Sequence, residues 1–378
     1  MRTLVVTNDF PPRQGGIQTM VHELARRLPA GTFSVYAPDW ADAANFDATQ
    51  EFPVARDEAR LLWPTRALAE RLTDVVRRER SDTVWFGSAA PLGLLAPVLR
   101  RAGVRRIVAT THGQEAAWAT LPATRQLLRR IARHVDVITY LGAYTRQRLE
   151  LATGSTAMQQ LHPGVDPAFF VPGAEGSTVR AELGLEHRPT IVCVSRLVRR
   201  KGQDMLIRGL PEVQRRVPGA ALLIVGGGSD MPRLQRLAAT TGVASDVIFT
   251  GGVPVEKLPS YYAAADVFAM PCRTRHAGLE IEGLGLIYLE ASATGLAVVA
   301  GASGGAPDAV RDGITGHVVD GRSLQQITDR VARLLGDPES AKAMGKAGRD
   351  WVEREWQWDL IAHRLISLLR GNDNGAQS

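Results

Sequence analysis

At 378 residues the chain is longer than one compact core usually supports, so its length favours two domains. Hydrophobic residues at 45% and charged residues at 22% exclude a disordered or fibrous protein. The sequence has no apolar run near the roughly 20 residues that cross a bilayer. Its start reads as a strand and a loop, and its two cysteines lack metal-ligand spacing. We therefore expect a cytoplasmic protein with reduced cysteines.

Short apolar runs alternate with amphipathic segments, a pattern that predicts parallel sheets with crossover helices. The first series of runs is TLVVT (residues 3–7), FSVYAP, TVWFG, RIVATT and VDVITYL. The segment LHPGVDPAFFVPG (161–173), with three prolines and two glycines, predicts a linker. The second series is TIVCVSR, ALLIVGGG, VIFTGG, DVFAMPC and LAVVAG, ending near GHVVD. We therefore predict an α/β fold with two doubly wound domains, residues 1–164 and 172–357, and a ligand in a central cleft that they face.

The loop NDFPPRQGGIQ (8–18) follows the first predicted strand. Its prolines end the strand, and Gly15 and Gly16 allow the backbone to approach a ligand just before a helix. Free N–H groups at a helix start favour a phosphate or another anion. The loop matches neither the G-x-G-x-x-G pattern nor a P-loop. A simple tight turn is the alternative interpretation.

The segment RQLLRRIARH (125–134) lies in a strongly basic part of the chain, because residues 100–148 contain ten arginines and two acids. Leu127, Leu128 and Ile131 fall on one side of the predicted helix, with arginines nearby, as in helices that bind an anionic membrane surface. A solvated helix face is the alternative. No nucleic-acid recognition motif accompanies the charge, so we expect no nucleic acid partner.

His112 ends a predicted strand in TTHGQE (110–115). A lone histidine is often a hydrogen-bonded packing residue. Its place at a strand end equally predicts that it faces a ligand.

Four basic residues crowd the loop of SRLVRRKGQDMLI (195–207). An arginine offers a planar fork to phosphate oxygens, and a lysine offers a mobile point charge. We predict that Arg196 and Lys201 bind a phosphate and that Arg199 and Arg200 are solvated.

The stretch HAGLEIEGLGLIYLEASATG predicts a glycine-rich loop and then a helix over about 285–294. Glu282 lies in the loop and Glu290 in an apolar helix, where an unpaired carboxylate is costly. Sugar or ribose hydroxyls would suit Glu282 and Glu290, because a carboxylate is a strong acceptor for paired hydroxyl donors. The amides that would face anionic oxygens are those of Gly283, Leu284, Gly285 and Leu286. Internal ion pairs with nearby arginines are the alternative.

Together these loops resemble the retaining glycosyltransferases of family four, which have two Rossmann-like domains in the GT-B arrangement. Glu282 and Glu290 match the family's Glu-x7-Glu signature, and SRLVRRKG matches its phosphate-binding loop. The Gly-Gly loop and the histidine of THG also match, so the resemblance extends over nearly the whole chain.

TNDFPPRQGGIQ, VWFGSAAPL, THGQE, MPCRTR and GLGLIYLEASATG are similar to segments of the actinobacterial phosphatidylinositol mannoside mannosyltransferases within this family. The resemblance implies transfer of α-mannose from GDP-mannose to phosphatidylinositol monomannoside, giving the dimannoside, at the inner face of the plasma membrane.

The resemblance also implies roles for individual residues. Arg196 and Lys201 would hold the diphosphate, Glu290 the ribose and Glu282 a mannose hydroxyl. The remaining residues are His112 near the transferred sugar, Gly16 near the diphosphate, and Gly251 to Val253, Cys272 and Arg273 near the guanine. The family's last helix returns to the first domain, and WDLIAHRLISLLR (358–370) is the candidate.

No Asp-x-Asp pair occurs in the sequence, so we expect no bound metal and no cofactor beyond the donor. The resemblance implies front-face attack in which the leaving phosphate helps to deprotonate the acceptor.

Four alternatives stay open on the sequence. The main one is a family-four enzyme that uses a UDP-sugar, or uses GDP-mannose on another cell-wall or natural-product acceptor. A nucleotide-sugar epimerase, a phosphorylase and a phosphosugar-binding regulator are the others. The sequence leaves the oligomeric state open.

Overall fold

A parallel β-sheet forms the centre of each of two units in the computed structural model, which describes residues 1–154, 157–278 and 280–372. Unit 1 contains residues 1–164 and the chain from Trp358 onward, and unit 2 contains Val165–Gln357. The predicted α/β class is confirmed.

Unit 1 begins with elements that alternate along the chain. They are β1 (Thr3–Val6), α1 (Gly16–Ala25), β2 (Phe33–Pro38), α2 (Ala43–Asp47), β3 (Val54–Asp57), α3 (Arg66–Glu79), β4 (Thr83–Phe86), α4 (Ala96–Arg101), β5 (Arg106–Thr110), α5 (Gln114–Trp118), α6 (Pro122–Ala132), β6 (Val137–Tyr140), α7 (Ala143–Thr153) and β7 (Met158–Gln160).

Unit 2 repeats the alternation. Its elements are α8 (Gly176–Glu182), β8 (Thr190–Val194), α9 (Gln203–Arg216), β9 (Ala221–Val225), α10 (Met231–Thr241), β10 (Val247–Gly251), α11 (Leu258–Ala263), β11 (Val267–Met270), α12 (Leu286–Ala293), β12 (Ala297–Gly301), β13 (Gly316–Val319), α13 (Leu324–Gly336) and α14 (Pro338–Glu355).

The central strands are buried on both faces, as expected for parallel sheets covered by helices. Every residue of β1, β4, β8, β9 and β12 is buried. This burial explains why these strands read as continuous apolar runs instead of alternating ones.

Both sheets have a doubly wound strand order. Among the described residues, the strands of unit 1 run in the order β3-β2-β1-β4-β5-β6-β7, and those of unit 2 in the order β10-β9-β8-β11-β12-β13. The direction of winding therefore reverses between β1 and β4 in unit 1, and between β8 and β11 in unit 2. Ligands of such sheets bind beyond the carboxyl ends of the strands at this reversal. We call that side of each sheet its carboxyl edge.

The last helix, α15 (Trp358–Arg370), belongs to unit 1. The Nε atom of Arg27 in α1 lies 2.7 Å from a carboxylate oxygen of Asp359, and Arg106 donates to the carbonyl of Leu368 at 3.0 Å. A Cβ at Gly164 would lie 2.7 Å from the Cα of Trp358, so Gly164 allows the close approach.

Candidate functional site

Two loops leave the carboxyl edge of unit 2 at the reversal point. The phosphate loop, residues 195–202, follows β8, and the acid loop, residues 271–285, follows β11. These strands are neighbours in the sheet, although the 72 residues 195–266 separate the end of β8 from the start of β11 in sequence.

 Ile191 of β8 lies opposite Val267 of β11 where the two strands pair. The order of the strands therefore brings together two loops that are distant in sequence.

Gly202 allows the phosphate loop to pack against the acid loop. Its φ of +83° is a conformation that favours glycine, and a Cβ there would lie 2.1 Å from the carbonyl oxygen of Pro271. The N–H of Arg273 also donates to the carbonyl of Arg200 at 2.8 Å. The two loops are thus joined through their main chains.

A buried ion pair joins the same two loops. The Nζ atom of Lys201 lies 2.7 Å from Oε2 of Glu282, and both side chains are buried. This is in part the internal ion pair that the sequence left open as an alternative, although the partner is a lysine. Lys201 and Glu282 are therefore brought together, and whether each binds a ligand stays a prediction.

The prediction that Arg199 and Arg200 are both solvated is correct only for Arg199. The Arg199 side chain is 60% exposed. Arg200 is only 20% exposed, and its Nη1 atom lies 3.7 Å from Oε2 of Glu282. The expectation for Arg200 was wrong because sequence alone does not show that β11 places an acid beside it.

Arg196 is exposed, as Arg199 is, but it has no acid partner among the described residues. Within the described residues, its guanidinium has no hydrogen bond or ion pair, while its carbonyl accepts from the buried side chain of Gln203 at 3.2 Å. A polar cavity of about 490 Å³ is lined here by Arg196, Val198, Arg199, Arg200, Ser229, Asp230, Arg275 and Glu280. Arg199, Arg200 and Arg275 each lie within 4.0 Å of an acidic side chain. Among the described residues, Arg196 is therefore the cation of this cavity that is left to bind an anion.

Two buried aspartates neutralise other arginines near these loops. Asp204, in the first turn of α9, accepts two contacts of 2.9 Å from Nη2 of Arg273. Asp230 accepts bonds of 2.7 and 2.6 Å from Arg233, and these hydrogen bonds lower the pKa of Asp230. Sequence reasoning missed Asp204 and Asp230. Each of these acids follows the carboxyl end of a strand within ten residues, and that position was the signal available in the sequence.

Glu290 is partly buried within α12, as predicted. Its Oε2 atom accepts a hydrogen bond of 2.7 Å from the hydroxyl of Tyr262, a partner that the sequence did not suggest. Burial raises the pKa of the Glu290 carboxyl, and the Tyr262 hydrogen bond opposes that rise. The carboxyl therefore has one oxygen satisfied by a neutral donor, and no arginine is paired with it among the described residues.

Glycines hold the start of α12 in place. Gly285 has a φ of +82° and precedes the first helical residue, Leu286. Beyond β12, a Cβ at Gly304 would lie 2.0 Å from the carbonyl oxygen of Glu282, and one at Gly305 would lie 2.1 Å from that of Gly283. These close approaches position Gly283 to Leu286, of which Leu284 is buried.

The side chain of Cys272 points into unit 2. Its thiol donates to the carbonyl of Gly301 at 3.3 Å and lies 3.2 Å from the hydroxyl of Tyr288. Burial raises the pKa of Cys272 to about 12. Any contact of Cys272 with a base would therefore use its main chain. Gly251 and Val253, at the carboxyl end of β10, lie on the same edge of the sheet.

At the carboxyl edge of unit 1, the two adjacent glycines have different surroundings. A Cβ at Gly15 would lie 2.3 Å from Oε1 of Gln18, whereas one at Gly16 would meet nothing within 4 Å. Gln18 in turn donates to Asp9 at 2.8 Å, and Ser88 donates to the other oxygen of Asp9 at 2.9 Å. Gly15 makes room for this network, and Gly16 leaves space for a ligand.

His112 follows β5 at the same edge. Its Nε2 atom lies 2.5 Å from the carbonyl oxygen of Gly87. Because a carbonyl can only accept, Nε2 carries the hydrogen and Nδ1 is the ring nitrogen left for a ligand. The main-chain N–H of His112 donates at 3.0 Å to Glu115, a buried acid that sequence reasoning missed. Burial raises the pKa of the Glu115 carboxyl.

The helix proposed to contact a membrane, α6, uses its apolar side differently from the prediction. Leu128 and Ile131 are buried in unit 1, and only Leu127 is exposed, at 37%. The prediction that these three residues form one outward apolar face was therefore wrong for Leu128 and Ile131, because the protein's own core covers them. Leu121, just before the helix, is also exposed.

No group of three or more His, Cys, Asp or Glu side chains in the described ranges could hold a metal ion. No helix there is both long and apolar enough to span a bilayer.

Comparison with protein families assigns both units. The family described as Glycosyltransferase Family 4 matches residues 14–169, and the one described as Glycosyl transferases group 1 matches residues 177–351. A relative from Mycolicibacterium smegmatis is 52% identical over 99% of this chain and 100% of its own length. The chain belongs to glycosyltransferase family 4.

The full-length relatives in this family carry closely similar names. The M. smegmatis protein is a GDP-mannose-dependent alpha-(1-6)-phosphatidylinositol monomannoside mannosyltransferase. A Mycobacterium tuberculosis relative of the same name is 50% identical over 98% of this chain and 99% of its own. A Corynebacterium glutamicum relative, 43% identical over 98% of each chain, is named for a monoacylated form of that acceptor.

Solved structures confirm the GT-B fold. HepE of Anabaena in complex with UDP has a TM-score of 0.82 at 17% identity, covering 98% of this chain and 100% of its own. Sucrose-phosphate synthase from Thermosynechococcus elongatus has a TM-score of 0.79 at 21% identity, covering 98% and 99%. The predicted resemblance to this family and its fold is confirmed.

Proposed function

We propose that this protein is a retaining α-mannosyltransferase that moves mannose from GDP-mannose to phosphatidylinositol monomannoside, giving the dimannoside. The observation that carries the proposal is the identity of 50–52% over nearly the full length to enzymes named for that donor and acceptor. One fold supports many reactions, so the residues of the site must supply the chemistry.

The donor's diphosphate would bind at the phosphate loop. Arg196 is exposed and unpaired within the described residues, and Lys201 lies in the same loop beside Glu282. Cationic side chains already in place stabilise a developing negative charge without reorganisation. In this proposal they stabilise the departing GDP without a divalent cation.

The sugar and the nucleoside would contact the two glutamates. Glu282 would accept from a mannose hydroxyl and Glu290 from the ribose, with the amides of Gly283 to Leu286 facing the phosphates and Gly251 to Val253, Cys272 and Arg273 near the guanine. Carboxylates are strong acceptors for hydroxyl donors, which supports these roles. In unit 1, Gly16 would approach the diphosphate and His112 the transferred mannose.

In the reaction, the bond from the mannose C1 atom to the β-phosphate oxygen breaks, and a bond from C1 to the acceptor hydroxyl oxygen forms. Attack from the face that the diphosphate leaves retains the configuration. The acceptor proton passes to the departing phosphate oxygen, so GDP leaves as the product and no enzyme nucleophile is used.

Product analysis tests this function. The purified protein is incubated with GDP-mannose or UDP-sugars, a panel of inositol lipids and EDTA, and the products are identified by mass spectrometry. We expect a dimannoside from GDP-mannose and the monomannoside, undiminished by EDTA. Transfer only from a UDP-sugar, donor turnover without an acceptor, or loss of activity in EDTA would contradict the respective parts of the proposal.

The lipid acceptor leads us to propose that the protein binds the inner, anionic membrane surface peripherally through α6. Arg130 and Arg133 are exposed there, and the exposed Leu121 and Leu127 lie nearby. Arginines beside apolar side chains are typical of surface-binding helices.

Liposome flotation tests membrane binding. We expect flotation with phosphatidylinositol vesicles that weakens in high salt, because exposed charges are screened. Arg130→Ala with Arg133→Ala should reduce it, whereas the matched control, Arg215→Ala with Arg236→Ala on exposed positions of unit 2, should not. Equal binding to neutral vesicles would contradict the proposal.

A further inference from the structure

The buried pair of Lys201 and Glu282 creates a conflict at the proposed donor site. Nζ of Lys201 lies 2.7 Å from Oε2 of Glu282, and both side chains are buried. In the proposed function, Lys201 binds the diphosphate and Glu282 binds a sugar hydroxyl. In the structure each of these groups binds the other.

Arg200 is placed to resolve this conflict. Its Nη1 atom is buried, lies 3.7 Å from the same Oε2 atom of Glu282, and has no hydrogen-bond partner among the described residues. A buried donor without a partner costs free energy. The Arg200 carbonyl is held by the N–H of Arg273 at 2.8 Å, so the residue is anchored to the acid loop.

The other arginines of the loop are engaged elsewhere or point away. Arg199 is 60% exposed, and its nearest acid is Asp230, at 4.0 Å. Arg196 has no acid partner among the residues described. Arg200 is thus the second cation, after Lys201, within ion-pair distance of Glu282 in this part of the chain.

We propose that Arg200 is a positioning residue that takes over Glu282 when the donor binds. The diphosphate competes with Glu282 for Lys201, and the released carboxylate forms its ion pair with Arg200. A planar guanidinium binds a carboxylate in a defined orientation, which a compact ammonium does not. Glu282 is thereby held so that its other oxygen faces the sugar. This inference depends on the proposed function, which places the diphosphate on Lys201.

The test compares Arg200→Gln with Arg199→Gln, the adjacent exposed arginine, as its matched control. Binding of GDP is measured by calorimetry, and kcat and KM are measured with GDP-mannose and acceptor. We expect Arg200→Gln to weaken GDP binding by less than threefold, because Glu282 then leaves Lys201 with no second cation to accept it. It should lower kcat/KM for GDP-mannose by ten- to a hundredfold, because Glu282 is then also misoriented toward the sugar. Arg200→Lys should recover part of the loss, and Arg199→Gln should behave like the wild type.

A second variant, Glu282→Gln, tests whether Glu282 and the diphosphate compete for Lys201. Without the competing carboxylate, Lys201 is free, so we expect GDP to bind threefold to tenfold more tightly while mannosyl transfer falls by at least a hundredfold. If the pair of Lys201 and Glu282 had only a structural role, the substitution would instead weaken both GDP binding and mannosyl transfer.

Several outcomes would overturn the inference. Parallel weakening of GDP and GDP-mannose in Arg200→Gln would mean that Arg200 binds the diphosphate itself. Equal behaviour of Arg200→Gln and Arg199→Gln, no recovery with Arg200→Lys, or weaker GDP binding by Glu282→Gln would each contradict it. A wild-type protein that binds GDP but does not turn over GDP-mannose would instead contradict the proposed function.

Discussion

Both sheets reverse their winding in the same way, but the acids near the two reversal points have different hydrogen-bond donors. In unit 2, Glu282 and Asp204 accept from cations, namely Lys201 and Arg273. In unit 1, Asp9 accepts from the neutral groups of Gln18 and Ser88. Strand order therefore specifies where a site lies, and the side chains specify what it can bind.

This difference fits two kinds of ligand. Glu282 and Asp204 of unit 2 are paired with cations, and Arg196 remains unpaired within the described residues, so this edge favours an anion such as a diphosphate. The carboxylate of Asp9 accepts from neutral donors, so the edge of unit 1 favours hydroxyl groups. The proposed donor and acceptor match these two environments.

The largest expected effect tests the anion site at the carboxyl edge of unit 2. Arg196→Ala should lower kcat/KM for mannosyl transfer by about 100- to 1,000-fold, the usual cost of losing one transition-state donor. Its melting temperature should match that of the wild type, because the side chain is exposed and unpaired. Arg199→Ala, which also removes an exposed arginine, is the control. Near-normal mannosyl transfer by Arg196→Ala would contradict an anion site at Arg196.

The next effect tests the carboxyl edge of unit 1. His112→Ala should lower kcat by roughly 10- to 100-fold, because a misplaced sugar reacts slowly, and should leave the Kd for GDP unchanged. His363→Ala, at an exposed histidine of the same unit, is the control. A change in GDP affinity equal to the change in kcat would mean that His112 does not act on the sugar alone.

A smaller effect separates the two glycines of unit 1. Gly15→Ala should destabilise the protein by about 1–3 kcal/mol, because its Cβ would displace Gln18 and leave Asp9 short of a donor. Gly16→Ala should change stability by less than about 1 kcal/mol, since alanine is accommodated in a helix and meets no neighbour. Thermal unfolding of both variants decides this, and equal destabilisation would contradict it.

The smallest effect concerns pH. The pKa of Glu290 is raised on folding, so the folded protein binds more protons than the unfolded chain above the ordinary value of about 4.3. Stability should therefore fall as pH rises from that value through the raised pKa. Glu290→Gln should remove this part of the dependence.

Melting temperatures of wild type and Glu290→Gln between pH 4 and 8 measure the effect. The difference should move in favour of the variant as pH rises. Glu115→Gln is a useful companion in unit 1, because burial raises the pKa of Glu115 in the same direction. A difference that does not vary with pH would contradict the expected sign.

Much of the fold and part of the site were predictable from local signals. Apolar runs separated by amphipathic segments predicted the parallel sheets, and charged or glycine-rich loops after strands predicted Arg196, Glu282 and Gly16 as site residues. The sequence failed where a residue's surroundings come from distant elements. Arg200 was expected in solvent, and Leu128 with Ile131 was expected to face a membrane, but each is covered by another part of its unit.

The sequence by itself determined the α/β class, the loops of the candidate site and membership of the family, because periodicity, turn residues and motifs are local properties of the chain. Only the tertiary structure decided which charges pair. Lys201 and Glu282 are 81 positions apart, and they meet because β8 lies beside β11 in the sheet. Ion pairing depends on distance and burial in space, and the order of residues along the chain specifies neither.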